Sequence, residues 1–244
     1  MKEKLYTIPV NEAFDNAGEC GFCALHKKLE REILDYVMGP SYMEEDIRED
    51  MDRMGFCQDH YRQMFAAGNR LGVALMLKSH MNHTLKETER LFQKEIALTE
   101  QKKKPFAKAP DSPFGAFEKG REESCYACFR MQRRMDSYFS TFFHLWKTEP
   151  EFRDKVLGGK GFCLSHLKEA MDEGKKRLNY KDYQAFLAAI LPLQQENLKR
   201  VESDLDWFIQ KFDYRFKEEP WKDSKDAVER GIQKMASLLL DKKD

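Results

Sequence analysis

Apolar residues recur along this chain with a helical period. Phe22, Leu25, Leu29, Ile33 and Val37 fall three or four apart, which places them on one face of a helix. The Gly39-Pro40 pair then breaks that helix. A matching helix is expected from Ser124, with Ala127, Met131, Met135, Tyr138 and Phe142 on its buried face. Short helices are expected over 44–53 and 150–156. Further helices should begin at Cys57 and Cys163, with Gly68 and Gly174 as candidate ends. Long helices follow over Leu71–Ile96 and Tyr183–Phe212, the first carrying Leu75, Leu77, Met81, Leu85, Phe92 and Ile96, the second kinked at Pro192. A last helix runs over Ser224–Leu240, capped by Ser224 or Asp223. At the N-terminus Tyr6, Ile8 and Val10 alternate as in a strand, though one run this short does not establish one.

These elements occur twice. Cys20-Gly-Phe-Cys23 and Cys125-Tyr-Ala-Cys128 are both C-x-x-C, at an offset of 105 residues. Gly55-Phe-Cys57-Gln-Asp-His60 and Gly161-Phe-Cys163-Leu-Ser-His166 share G-F-C-x-x-H, at an offset of 106. Residues between the motifs also align, as in Asp46–Met51 with Glu151–Val156. A fixed offset over this length marks a duplication. The expected architecture is therefore all-α, a duplicated helical bundle. A lysine run and Pro105, Pro110 and Pro113 lie between the copies. The expected domains are 1–100 and 123–217, with a linker over 101–122 and a C-terminal helix over 218–244.

Composition narrows the class. The chain has 244 residues, of which 41% are hydrophobic and 34% charged, a profile that folds rather than stays disordered. Lys plus Arg and Asp plus Glu are equal at 42 each, so nothing points to nucleic acid or an anionic membrane. No signal-peptide run opens the sequence and no stretch reaches the length of a membrane span. The expected compartment is the cytoplasm, where six cysteines point to metal or redox chemistry rather than disulfides.

Residues three apart on a helix share a face, so each C-x-x-C and each C-x-x-H can aim two donors at one point. Three cysteines and a histidine form a common tetrahedral structural zinc set. The expected ligands are Cys20, Cys23, Cys57 and His60 in the first half, and Cys125, Cys128, Cys163 and His166 in the second. Each half would close its own site, giving two zinc ions per chain. Helix N-termini would face the thiolates and favour their ionisation. His26, three residues after Cys23, is an alternative ligand, but its counterpart is Met131.

Other candidates are weaker. His80 and His83, with Glu87 a turn further, could form an acid–base or metal site on a helix; a polar face is the simpler reading. His144, among Phe142, Phe143, Leu145 and Trp146, reads as a core or cap residue, and Trp207, Phe208, Phe212 and Trp221 read as core. No phosphate-binding, dinucleotide or protease signature is present.

The opening Lys4–Phe14, the Met38–Met43 turn, the paired G-F-C-x-x-H motifs and Asn69–Lys78 together resemble an uncharacterised bacterial family known as a domain of unknown function, DUF6062. The resemblance covers essentially the whole chain and implies no catalytic residue. The functional expectation is a non-enzymatic scaffold with a protein partner. The alternatives are a thiol/zinc redox sensor, or an enzyme with a site near His80, His83 and Glu87. The sequence does not specify an oligomeric state.

Overall fold

The computed structural model describes residues 2–15, 18–39, 44–100 and 112–240. Among them are eleven α-helices and no strand. In order they are α1 (Lys2–Asp15), α2 (Gly21–Met38), α3 (Glu45–Met54), α4 (Gln58–Ala66), α5 (Arg70–Glu100), α6 (Pro113–Glu122), α7 (Tyr126–Thr148), α8 (Pro150–Leu157), α9 (Leu164–Arg177), α10 (Tyr180–Gln210) and α11 (Ala227–Ala236). The all-α duplication is evident in this order. Helices α1–α5 correspond to α6–α10, and the long fifth member has 31 residues in both copies. Each of these long helices starts at an asparagine whose side chain accepts from a backbone N–H three residues on, Asn69 from Gly72 and Asn179 from Asp182.

The N-terminal alternation resolves as helix rather than strand. Tyr6, Val10 and Ala13 are also spaced for one helix face, and that face turns inward while Ile8 is exposed. Tyr6 meets Tyr138 edge-on with ring centroids 5.6 Å apart. Part of the expected linker, 101–111, lies outside the described residues, as does Pro40. The rest of that linker is α6, started by Pro113 and capped by Ser112, whose hydroxyl accepts from Gly115 N. Gly174 does not end its helix: its backbone stays out of the left-handed region, α9 runs on to Arg177, and the glycine instead makes room for the Phe143 ring, which a Cβ would approach to 3.0 Å. Helix α11 is shorter than expected, and Ser224 hydrogen-bonds the Trp221 carbonyl instead of capping it. His144 is exposed, because the period that buries Phe142, Phe143, Leu145 and Trp146 turns it outward. Phe212 is likewise exposed, although its ring still touches Phe208 and Trp221.

The chain forms two compact units that do not follow the two repeats. Unit 1 comprises Met1–Lys28 with Arg134–Asp244, and unit 2 comprises Leu29–Arg133. The divisions fall inside α2 and α7. The core of unit 1 is aromatic: Phe22, Phe142, Phe162 and Phe186 have no exposure, and the Phe22 and Phe139 rings are 4.2 Å apart. Unit 2 is filled by Leu29, Ile33, Val37 and the adaptable side chains of Met51, Met64, Met76 and Met131.

The G-F-C turn has a physical requirement at its first position. Gly55 and Gly161 have φ of +60° and +73°, a region that side chains rarely adopt. A Cβ on Gly55 would lie 2.6 Å from His80 Nε2, and one on Gly161 2.7 Å from Gln194 Oε1. Phe56 and Phe162 then plug the core. Gln194 closes the second turn with both amide groups: Phe162 N–H donates to its Oε1 and its Nε2 donates to the Phe162 carbonyl, each at 2.9 Å.

Gly161→Ala is expected to destabilise the fold by about 1–3 kcal/mol through backbone strain and the clash with Gln194. Gly120→Ala, in helix α6 with open space around it, should stabilise slightly, by up to about 1 kcal/mol. Denaturant unfolding of the two variants checks both signs.

Candidate metal centres

Helix starts position the donors. Cys20 immediately precedes α2 and Cys23 lies in its first turn; Cys125 and Cys128 bear the same relation to α7. Cys57 and Cys163 occupy the cap positions of α4 and α9 with extended backbone, so His60 and His166 fall in the first turn. Each pair therefore projects from a helix N-terminus, where the free backbone N–H groups favour negative charge.

The eight expected residues form two clusters, but not with the expected partners. One contains Cys20, Cys23, Cys163 and His166; the other contains Cys57, His60, Cys125 and Cys128. Each C-x-x-C joins the C-x-x-H of the other repeat, so neither half closes a site of its own. The physical reason lies in chain path. Helix α2 has 18 residues and carries the chain about 27 Å along its axis. Beyond that helix the chain returns only to the level of Glu30, which lies 3.3 Å from His60, and not to the start of α2. It brings Cys57 and His60 to the start of α7, where Tyr126 N–H donates to the Gly55 carbonyl at 2.9 Å. Cys20 and Cys23 are met by Cys163 and His166 within unit 1.

Within each cluster one donor atom per residue lies within 4.8 Å of all the others. In unit 1, Cys23 Sγ is 3.5 Å from Cys163 Sγ. His166 Nδ1 lies 3.6, 3.4 and 3.0 Å from the sulfurs of Cys20, Cys23 and Cys163. In unit 2, Cys57 and Cys128 sulfurs are 3.9 Å apart, and His60 Nδ1 lies 3.1, 3.3 and 3.5 Å from Cys57, Cys125 and Cys128. A tetrahedral ion with ordinary zinc bond lengths has edges of roughly 3.7 Å between sulfurs and roughly 3.5 Å between sulfur and nitrogen. The clusters fit that frame, and sulfurs 3.5 Å apart are not a disulfide. His26 is exposed, its ring centroid 6.1 Å from that of His166, and it belongs to neither set.

Crowding three thiols and an imidazole shifts their titration. Cys163 is driven well below the usual thiol range by hydrogen bonds from Cys20 and Cys23; Cys125 falls to about 3, mainly through Cys128. The partner thiols are pushed up: Cys23 by Cys163 and Cys20, Cys128 by Cys125 and by burial. Burial opposes charge on both imidazoles, yet the thiolates outweigh it. His60, aided also by Glu30, and His166 each rise to about 10. Each cluster thus retains protons that a metal ion must displace.

A family model described as a family of unknown function (DUF6062) matches residues 1–242. The chain belongs to that family. Comparison with curated proteins and with solved structures found no match. In this DUF6062 member, then, function is argued from the site itself.

The two clusters differ in what covers them. All four residues in unit 1 are buried, whereas in unit 2 Cys57 is half-buried and Cys128 exposed. The cover in unit 1 comes from α11. Ser237, which ends that helix at φ +59°, donates its hydroxyl to Cys163 Sγ at 3.1 Å. Lys234 is 1% exposed and donates to the backbone carbonyls of Glu19, Lys160 and Phe162. It also pairs at 3.3 Å with the Glu19 carboxylate, which Arg200 holds at 2.6 Å. Burial lowers the Lys234 pKa, offset in part by Glu19. In unit 2 the corresponding support is a single carboxylate: Glu30 lies 3.3 Å from His60 Nε2 and accepts from Gln63. Such contacts orient a ligating imidazole. Sequence reading missed Glu19, Glu30, Gln194, Lys234 and Ser237. None repeats at the duplication offset, so only a lysine amid the apolar residues of α11 hinted at them.

His80 is accounted for structurally. It is buried, its Nδ1 donates to the Asp52 carbonyl at 2.6 Å, and its ring packs on Gly55. His83 is exposed, and with Glu87 lines an open groove of about 380 Å³ that also includes Arg53 and Arg121. Among the described residues no third cluster of metal-type donors forms.

Metal loss is expected first from the unit 2 cluster, because its Cys128 is open to solvent. Under a chelator, release should be biphasic, and Cys128→Ser should remove the fast phase. Affinity at both clusters should fall as pH falls. The metal-bound state lacks the imidazole Nδ1 and thiol protons that raised pKa values retain in the metal-free state, so acid favours the latter. Competition with a chelator at about pH 6 and about pH 8 reads the direction.

Proposed function

We propose that this protein is a non-enzymatic helical scaffold whose two zinc ions fix helix ends, and that it presents a helix face to a protein partner. The observation that carries the zinc reading is that each cluster supplies four donors from the protein itself, three sulfurs and an imidazole nitrogen. A full tetrahedral set leaves no position for substrate or water, which is the pattern of structural rather than catalytic zinc. In unit 1, Cys20, Cys23, Cys163 and His166 would hold the ion; in unit 2, Cys57, His60, Cys125 and Cys128. Zinc there would offset two of the three thiolate charges and tie two helix starts together. No net charge favours nucleic acid, and no helix among the described residues is long and apolar enough to cross a membrane. The free thiols suit a reducing compartment, and we place the protein in the cytoplasm. Catalysis at His80 is less well supported, because its Nδ1 is committed to a backbone carbonyl.

A second reading, a thiol/zinc redox sensor, is favoured by the exposure of Cys128 alone among the ligands. An oxidant would reach that sulfur first.

Elemental analysis of purified protein should find two zinc ions per chain, and His166→Ala should lower this to one with a large loss of stability, because structural zinc contributes on the order of 10 kcal/mol in small domains. A colourless, metal-free protein that stays folded in chelator would refute the metal reading, and a coloured iron-containing one would refute zinc.

A further inference from the structure

Among the described residues, helix α5 leaves most of an apolar face open, although Phe92 on it also touches the Phe114 ring of α6 at 5.2 Å and is 50% exposed. Its inner side, with Met76 and His80, is buried, while Leu71, Leu85 and Ile96 on the other side are 69%, 61% and 61% exposed. The exposed positions 71, 75, 78, 82, 85, 89, 92 and 96 follow one another at alternating spacings of four and three. That is the spacing of a coiled-coil seam, in which a and d positions line one stripe.

We propose that this face is the contact with a second copy of the chain, laid antiparallel. This deepens the scaffold reading, on which it rests, by naming the partner. The seam is complementary to its own reverse. With two copies head to tail, Leu71 of one meets Ile96 of the other, and Leu75 meets Phe92. Lys78 then meets Glu89, placing opposite charges together at two symmetric points. Asn82 meets Leu85 on either side of the centre, where a polar residue sets register at some cost in affinity. An a position faces a d position in every layer, as antiparallel pairing requires. A parallel pair would instead set Lys78 against Lys78 and Glu89 against Glu89. A foreign helix would explain the apolar residues but not why the two charges stand equally far from the middle of the stripe. Ala74 and Met81, both exposed, widen the face along one flank.

The seam is about 37 Å long at 1.5 Å per residue. One helix pair of that length lies at the small end of specific interfaces, so the dimer should be reversible and in the micromolar range.

Sedimentation equilibrium of the full-length, metal-loaded protein tests this. A monomer–dimer equilibrium is expected, and Leu85→Glu should weaken it at least about 50-fold. Lys78→Glu and Glu89→Lys each put like charges at both seam points and should weaken self-association about 10-fold. Mixed together, those two variants should form a heterodimer at near the original affinity. All three positions are exposed, so folding is checked by circular dichroism and is not expected to change. A protein that stays monomeric overturns the inference, as does a dimer indifferent to these substitutions or a mixture that fails to pair. Zinc content measured on the same samples keeps the outcomes apart: two ions on a monomer sink the seam alone, whereas a metal-free dimer sinks the metal reading alone.

Discussion

Three thiols and an imidazole held within 4.8 Å of one another form an arrangement that is electrostatically costly unless a cation joins them. Ionised sulfurs at this range repel, and protonated ones hydrogen-bond poorly. The pKa pattern expresses that conflict, with one thiolate per cluster favoured at the expense of its neighbours. The conflict arises twice, at helix starts, and in each case the donors come from segments far apart in sequence. In unit 2, α4 and α7 are tied at Cys57–His60 and Cys125–Cys128. In unit 1, α2 and α9 are tied at Cys20–Cys23 and Cys163–His166. The left-handed glycine of each G-F-C turn permits the approach, and the phenylalanine after it anchors the turn in the core.

Equal ligand sets have unequal surroundings. In unit 1 the aromatic core reaches the cluster itself, with the Phe22 ring 5.9 Å from His166. Helix α11, which has no counterpart among the described residues of the first repeat, closes over it through Ser237 and the Lys234–Glu19–Arg200 charges. A buried lysine is tolerable only when fully paired, and Lys234 satisfies its ammonium with three carbonyls and a carboxylate. Unit 2 has a methionine-rich core and, among the described residues, no such cover, and its Cys128 is exposed. Duplication supplied two identical donor sets, and the extra helix made one of them the better protected.

The histidine with the most suggestive sequence context, His80, holds a turn in place, and its neighbours His83 and Glu87 look onto an open groove. What the structure does offer outwardly is the α5 stripe, whose leucines lie on the opposite side from the packed residues. A helix with apolar residues on more than one side has a low amphipathic signal, so periodicity alone gave the long helix without saying which side would pack.

Local chemistry was legible from sequence. The identity and number of donors, the helices that carry them and the duplication all follow from short-range spacing, because three residues along a helix always return to the same face. The partnership of the donors was not legible. Cys20–Cys23 is chemically as compatible with Cys57–His60 as with Cys163–His166, and the choice between them depends on where an 18-residue helix sends the chain. The division into units, the role of Gly174 and the outward turn of His144 were likewise set by packing at long range. The N-terminal helix was hidden because Tyr6 and Val10 satisfy a period of two as well as one of 3.6, and only burial against a neighbour such as Tyr138 decides between them.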